Sequence, residues 1–244
     1  MLKKSTYFFI GKLSDESAKY YVIEYRLKGG FRFEILLDGL VVWGSTKIPF
    51  ETLMPRVRNM LDIILSAFAL KTNKPLNYNL THWVETKEVT ATKNMIGWVR
   101  NPYNPKIHYP VRSKHNSAWK KACWLYTNKS KGNSNHILAL KDYRSALSDT
   151  SPDSLFFAYR ATEDICRAVT QCQKIDPKDW EAMRTTLNIS RKSLNPLIKA
   201  SKAVRHGSIS ERSVRSAMKK RDKMLGISRN VIEREFKRTF PGFF

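Results

Sequence analysis

The periodicity of apolar side chains changes twice along this chain, and no other feature bounds the fold so closely. "STYFFIG", "KYYVIEYRL" and "FRFEILLD" are dense in β-branched and aromatic residues, as strands are. Gly29-Gly30 should join the last two as a tight hairpin, and "DGLVVWG" should extend the sheet after an Asp38-Gly39 turn. In "PFETLMPRVRNMLDIILSAFAL" the period becomes helical. Leu53, Val57, Leu61, Ile64 and Phe68 share one face, which predicts a helix laid on that sheet. Pro55 is expected in its first turn, where a missing N–H is tolerated. Strands return in "LNYNLTHWVETKEVTATK" and "MIGWVR", and "RNPYNPKIHYPVRSKHNS" reads as a long loop.

From His136 the helical pattern persists. "HILALKDYRSAL" opens it, "DTSPDS" punctuates it, and "LFFAYRATEDICRAVT" carries Leu155, Tyr159, Thr162, Cys166 and Val169 along one stripe. Asp176, Pro177 and Asp179 form a start signal, and Asn195-Pro196 predicts another, for a helix that Gly207 ends. Two last helices, "SERSVRSAMKKRDKML" and "SRNVIEREFKRTF", are expected after Ser210 and Ser228, separated by Gly226. The fold class is therefore α+β. A strand-rich domain with one packed helix spans 1–135, and an all-α bundle spans 136–244.

Charge narrows the partners. Against 21 acidic residues stand 44 Lys and Arg, a net charge of +23 over 244 residues. Residues 184–244 hold 16 of the basic and 4 of the acidic side chains, whereas 151–183 hold 4 and 6. A field this lopsided attracts polyanions, nucleic acid foremost. The nearly neutral stretch is the expected packing or homodimer face. The longest apolar run, "IILSAFAL", is far below a membrane span. Cys123, Cys166 and Cys172 lack CxxC spacing, and the N-terminal apolar run is short for a signal peptide. These features predict a cytoplasmic protein without membrane, metal or cofactor.

Two segments suit nucleic acid. In "NPYNPKIHYPVRSKHNSAWKK", Tyr103, Tyr109 and Trp119 interleave with Lys106, Arg112, Lys114, Lys120 and Lys121, so aromatics can stack on bases while cations neutralise phosphate. In "RSVRSAMKKRDK", Arg212, Arg215 and Lys219 share a helical face beside Lys220, which suits phosphate without base specificity. Glu85-x-Lys87 is a fragment of a metal-nuclease pattern, but a cation would need a second carboxylate. His108 and His115 have no metal-ligating neighbour at ligand spacing.

Arg205-His206-Gly207 fits a helix end, with cations in the last turn and a left-handed glycine after it. Glu163 flanks the apolar stripe and requires a partner, Arg167 at i+4 or Arg205 from a neighbouring helix. Together "ALKDYRSAL…SLFFAYRATEDICRAV…DWEAMRTTL…LNPLIKASKAVRHG" resembles the HEPN superfamily of small helical, usually dimeric domains. The resemblance implies RNA binding in a prokaryotic antiviral defence, toxin or mobile-element system. It also implies two alternatives: a metal-independent ribonuclease using Arg205, His206 and Glu163, or a structural subunit of a nucleoprotein complex. The HEPN ribonucleases carry an Arg followed by four to six residues and then His; here Lys199, Ala200 and Ser201 stand at the positions that would hold the Arg.

Overall fold

A computed structural model describes residues 5–14, 21–26, 31–37, 39–86, 116–205, 215–216 and 218–244. It is an α+β protein of two compact units, Met1–Leu61 with Leu76–Cys123 and Asp62–Pro75 with Trp124–Phe244. The division falls at 123/124, ahead of the 135/136 boundary expected from the sequence.

In the first unit, β1 (Ser5–Leu13), β2 (Tyr21–Arg26), β3 (Arg32–Leu37), β4 (Gly39–Thr46) and β5 (Tyr78–Thr86) form one sheet of order β2-β3-β4-β1-β5. Every pairing is antiparallel. The β1–β5 register shifts between Ile10 and Gly11, and a Cβ at Gly11 would lie 2.3 Å from the Asn79 carbonyl oxygen. Only glycine fits that bulge. Helix α1 (Phe50–Thr72) follows, and its first half lays Phe50 between Phe9, at a ring separation of 6.2 Å, and Trp83, at 4.0 Å. The expected stripe of Leu53, Val57, Leu61, Ile64 and Phe68 is buried. Pro55 stands one turn deeper than expected, because the helix already begins at Phe50. The carbonyl it leaves unpaired is on exposed Glu51, where water can serve it.

The second unit is helical: α3 (Ser134–Ser148), α4 (Asp153–Thr170), α5 (Pro177–Leu187), α6 (Arg191–Arg205) and α7 (Arg221–Thr239), preceded by α2 (Asn116–Asn128), which reaches into it. Helix α2 was not expected. Its sequence NSAWKKACWLYTN sets Trp119, Ala122, Cys123 and Leu125 in the core, but a lone 13-residue helix after a proline-rich stretch shows a weak period. Helix α4 is central, touching α3, α5, α6 and α7, with Leu155, Ala158, Ala161, Thr162, Ile165 and Cys166 buried.

Three further boundaries differ from expectation. Ser190, not Asn195-Pro196, opens α6, its hydroxyl accepting the Ser193 N–H at 3.2 Å, and Pro196 lies inside the helix. Gly226 does not separate a pair of helices, since α7 runs through it. Ser228 is thus no cap; buried mid-helix, it donates to the Ala158 carbonyl at 2.8 Å beside the Thr162 hydroxyl. The Asp176 start signal is a full capping box. Asp176 accepts from Lys178 N–H (2.7 Å) and Asp179 N–H (3.0 Å), while Asp179 accepts from Asp176 N–H (2.9 Å).

Candidate nucleic-acid interface

Positive charge in the helical unit is used in two ways, and α7 shows the first. Arg221 donates through Nη2 to the carbonyls of Ala146 (2.7 Å), Leu147 (3.1 Å) and Asp149 (2.8 Å), and through Nε to Ser154 Oγ (3.2 Å). It closes the C-terminus of α3. Arg234 reaches the carbonyls of Leu187, at 2.9 Å, and Asn188, closing α5. Arg229 lies 3.5 Å from the Lys71 carbonyl at the end of α1 and pairs with Glu233 at 2.7 Å. Helix C-termini present unpaired carbonyls and a negative dipole end, so a guanidinium fork satisfies both the geometry and the charge.

The same helix holds a buried carboxylate. Glu235 is fully buried; its carboxylate accepts from His136 Nε2 (2.9 Å), Arg238 (2.8 and 2.9 Å) and Thr239 (2.7 Å). Burial alone would push this carboxyl up. The hydrogen bonds from His136, Arg238 and Thr239 outweigh it and hold the group at about 2. On its other side His136 Nδ1 accepts the Asn133 N–H at 3.1 Å, which makes the imidazole the N3 partner of a capping box at the start of α3. Sequence reasoning missed this residue. The signal was Asn133 three positions before His136, with histidine where a capping box carries glutamate.

Helix α6 shows the second use. At ~100° per residue, Arg191, Lys192, Lys199 and Lys202 fall within a single arc, and all four are exposed. None has an ion-pair partner among the described residues. Leu194, Leu197 and Ser201 occupy the buried opposite side. No acidic residue occurs between Glu181 and Glu211. Beyond α6, Arg215, Lys219 and Lys220 are exposed as well.

Between α7 and the α5–α6 corner lies a cleft of about 340 Å³. Its floor is Ile189, Leu194, Ile227 and Val231, and its rim carries Ser193, Lys223, Asn230 and Arg234. No carboxylate lines it.

The sequence-derived site residues separate under this geometry. Glu163 faces Arg167, 4.0 Å away at i+4, so the intrahelical partner is the one observed. Arg160 Nε lies 3.1 Å from Asp142 Oδ2, and Arg167 donates to Asp164 at 2.9 Å. The charged residues of the YRATED segment thus brace α4 and α3. Burial, reinforced by Asp164 and opposed by Arg160, pushes the Asp142 carboxyl up to about 6. Arg205 ends α6, while His206 and Gly207 lie outside the described residues, as do Tyr103, Lys106, Tyr109, Arg112, Lys114, Arg212, His108, His115 and Lys87. Lys120 is exposed and Lys121 half-buried, but Trp119 is fully buried in the core and unavailable for base stacking. Glu85 accepts from the Tyr7 hydroxyl at 3.2 Å.

Among the described residues no helix is long and apolar enough to cross a membrane, and no group of three or more metal-ligating side chains occurs. No curated protein and no solved structure matches the chain. Residues 125–238, from the second half of α2 nearly to the end of α7, are similar to the family described as "Domain of unknown function (DUF8168) C-terminal domain".

Proposed function

We propose that this protein binds nucleic acid, RNA above all, along the cationic outer arc of α6 and the basic stretch that leads into α7. One observation carries the reading. Arg191, Lys192, Lys199 and Lys202 form an exposed stripe on a helix without a single acidic residue, while nearby arginines of α7 are engaged in holding the fold. Cations kept apart from carboxylates in this way are suited to phosphate, not to internal ion pairing. RNA is preferred to DNA on the HEPN resemblance, which also suggests a cytoplasmic role in prokaryotic defence, toxin or mobile-element systems.

The test is a salt titration of a labelled single-stranded RNA. The log–log slope is expected to be about −0.7 for each phosphate contacted. Lys199→Glu with Lys202→Glu should lower affinity at least tenfold at moderate salt and make the slope shallower. A flat slope in the native protein, or unchanged binding in the double variant, overturns the reading.

A further inference from the structure

Gly226 is a poor choice for the place it occupies. It lies inside α7, where glycine costs about 1 kcal/mol relative to alanine. Neither usual reason for keeping glycine applies. Its backbone is helical, and a Cβ built there would meet nothing within 4 Å. Gly132 and Gly242 differ: a Cβ on either would come within 2.5 Å of an aromatic ring. What the missing side chain does at 226 is leave the cleft between α7 and the α5–α6 corner open, because Gly226 belongs to its wall.

The walls define what would fit. Leu194 and Val231 are almost wholly buried and Ile189 nearly so, giving a fixed aliphatic floor. Arg234 is held in place by the Leu187 and Asn188 carbonyls, both bound through Nη1, so its other nitrogens stay available without loss of side-chain freedom. Lys223 and Asn230 are exposed and have no polar partner among the described residues. At about 340 Å³ the cleft falls within the range of small-ligand sites, ~300–1,000 Å³. An aliphatic floor under a rim of two cations, an amide and a hydroxyl, with no carboxylate, calls for a ligand that is flat and weakly polar at one end and anionic at the other.

We infer that this cleft holds one nucleotide unit, its base on the Ile189–Leu194–Val231 floor and its phosphate on Lys223 and Arg234, with Gly226 keeping the entrance open. The inference rests on the nucleic-acid reading for its preferred source, a residue of a bound strand. A free nucleotide carries the same chemistry.

The experiment separates the two. Gly226→Phe fills the cleft from a position with room for a side chain, and Gly226→Ala serves as its folded control, with a melting temperature at or above that of the native protein. Binding of a labelled single-stranded RNA is measured across a salt series for both, beside the Lys199→Glu, Lys202→Glu double variant. Adenosine 5′-monophosphate is titrated separately while the amide signals of Gly226 and Asn230 are followed by NMR. Gly226→Phe is expected to weaken RNA binding about tenfold with an unchanged salt slope, because it removes a base contact and no cation. Native affinity in Gly226→Phe, together with amides that ignore the nucleotide, overturns the cleft and leaves the α6 stripe standing. If RNA fails to bind the native protein but the nucleotide shifts both amides, the cleft stands as a free-nucleotide site and the strand reading falls.

Discussion

Helices α6 and α7 are both rich in cations, and they use them oppositely. In α7, Arg221, Arg229 and Arg234 turn toward the ends of three other helices, and Arg238 turns toward buried Glu235. In α6, Arg191, Lys192, Lys199 and Lys202 stand on the outside, unanswered by any carboxylate of their own helix. Net charge counts both helices alike. The four α6 cations are wholly at liberty to meet a polyanion, whereas Arg221, Arg229 and Arg238 are committed to the fold and Arg234 is committed through one nitrogen. Substitutions at Arg221 and in α6 should therefore separate stability from binding.

The largest effect is expected at Glu235. Glu235→Ala leaves His136, Arg238 and Thr239 without their shared acceptor and should cost about 3–5 kcal/mol in a denaturant titration, the sum of two or more hydrogen bonds to a charged group at ~1.5–3 kcal/mol each. Its pH dependence has a fixed sign. The folded carboxyl sits at about 2, below its usual 4.5, so its stabilisation is complete above about 4.5 and drains away as pH falls toward 2. Acid unfolding of the native protein should therefore be steep across that window and shallower in Glu235→Gln. Equal slopes would remove Glu235 from the account.

Arg221→Lys comes next. A lysine cannot fork to three carbonyls and a hydroxyl together, so carbonyls at the end of α3 lose their donor. A loss of about 2–3 kcal/mol is expected from thermal or denaturant melts. A loss below about 0.5 kcal/mol, the scale of an ordinary surface change, would show that charge alone suffices there.

How much of this was legible in the sequence depends on which residues carry the signal. The α+β class, the buried α1 stripe and the Asp176 capping box were readable, because periodicity and capping act within a few residues of each other. Helix ends were not, where they lacked glycine: α1, α4 and α5 are followed by left-handed Asn73, Gln171 and Asn188. Prolines misled as well. Pro55 and Pro196 sit inside helices whose freed carbonyls, on Glu51 and Lys192, belong to exposed residues, so neither proline marks a start. Partners distant in sequence, His136 with Glu235 or Arg221 with Ala146, leave no local trace, and so the braced cations of α7 could not be told from the outward ones of α6.

Asp142 gives a smaller effect of the opposite sign. Its folded carboxyl is raised from 3.8 to about 6, so its contribution is most favourable below 3.8 and is lost as pH rises through 6. Asp142→Asn, which keeps the shape and removes the charge, should gain about 1 kcal/mol at pH 8, a figure reduced for the lost pairing with Arg160. The gain should vanish by pH 4. A variant less stable than the native protein at pH 8 would mean that the Arg160 pair outweighs burial.

The smallest expected effect decides the comparison. If the α6 cations do not hold the fold, Lys199→Gln with Lys202→Gln should leave stability within about 0.5 kcal/mol, as for exposed side chains generally. RNA affinity should fall in the same double variant, in contrast to Arg221→Lys, where a drop in affinity should appear only as the protein unfolds. A paired loss of stability and binding in α6 would return its cations to the structural class. Stability unchanged and affinity reduced is the pattern that a polyanion-binding stripe requires.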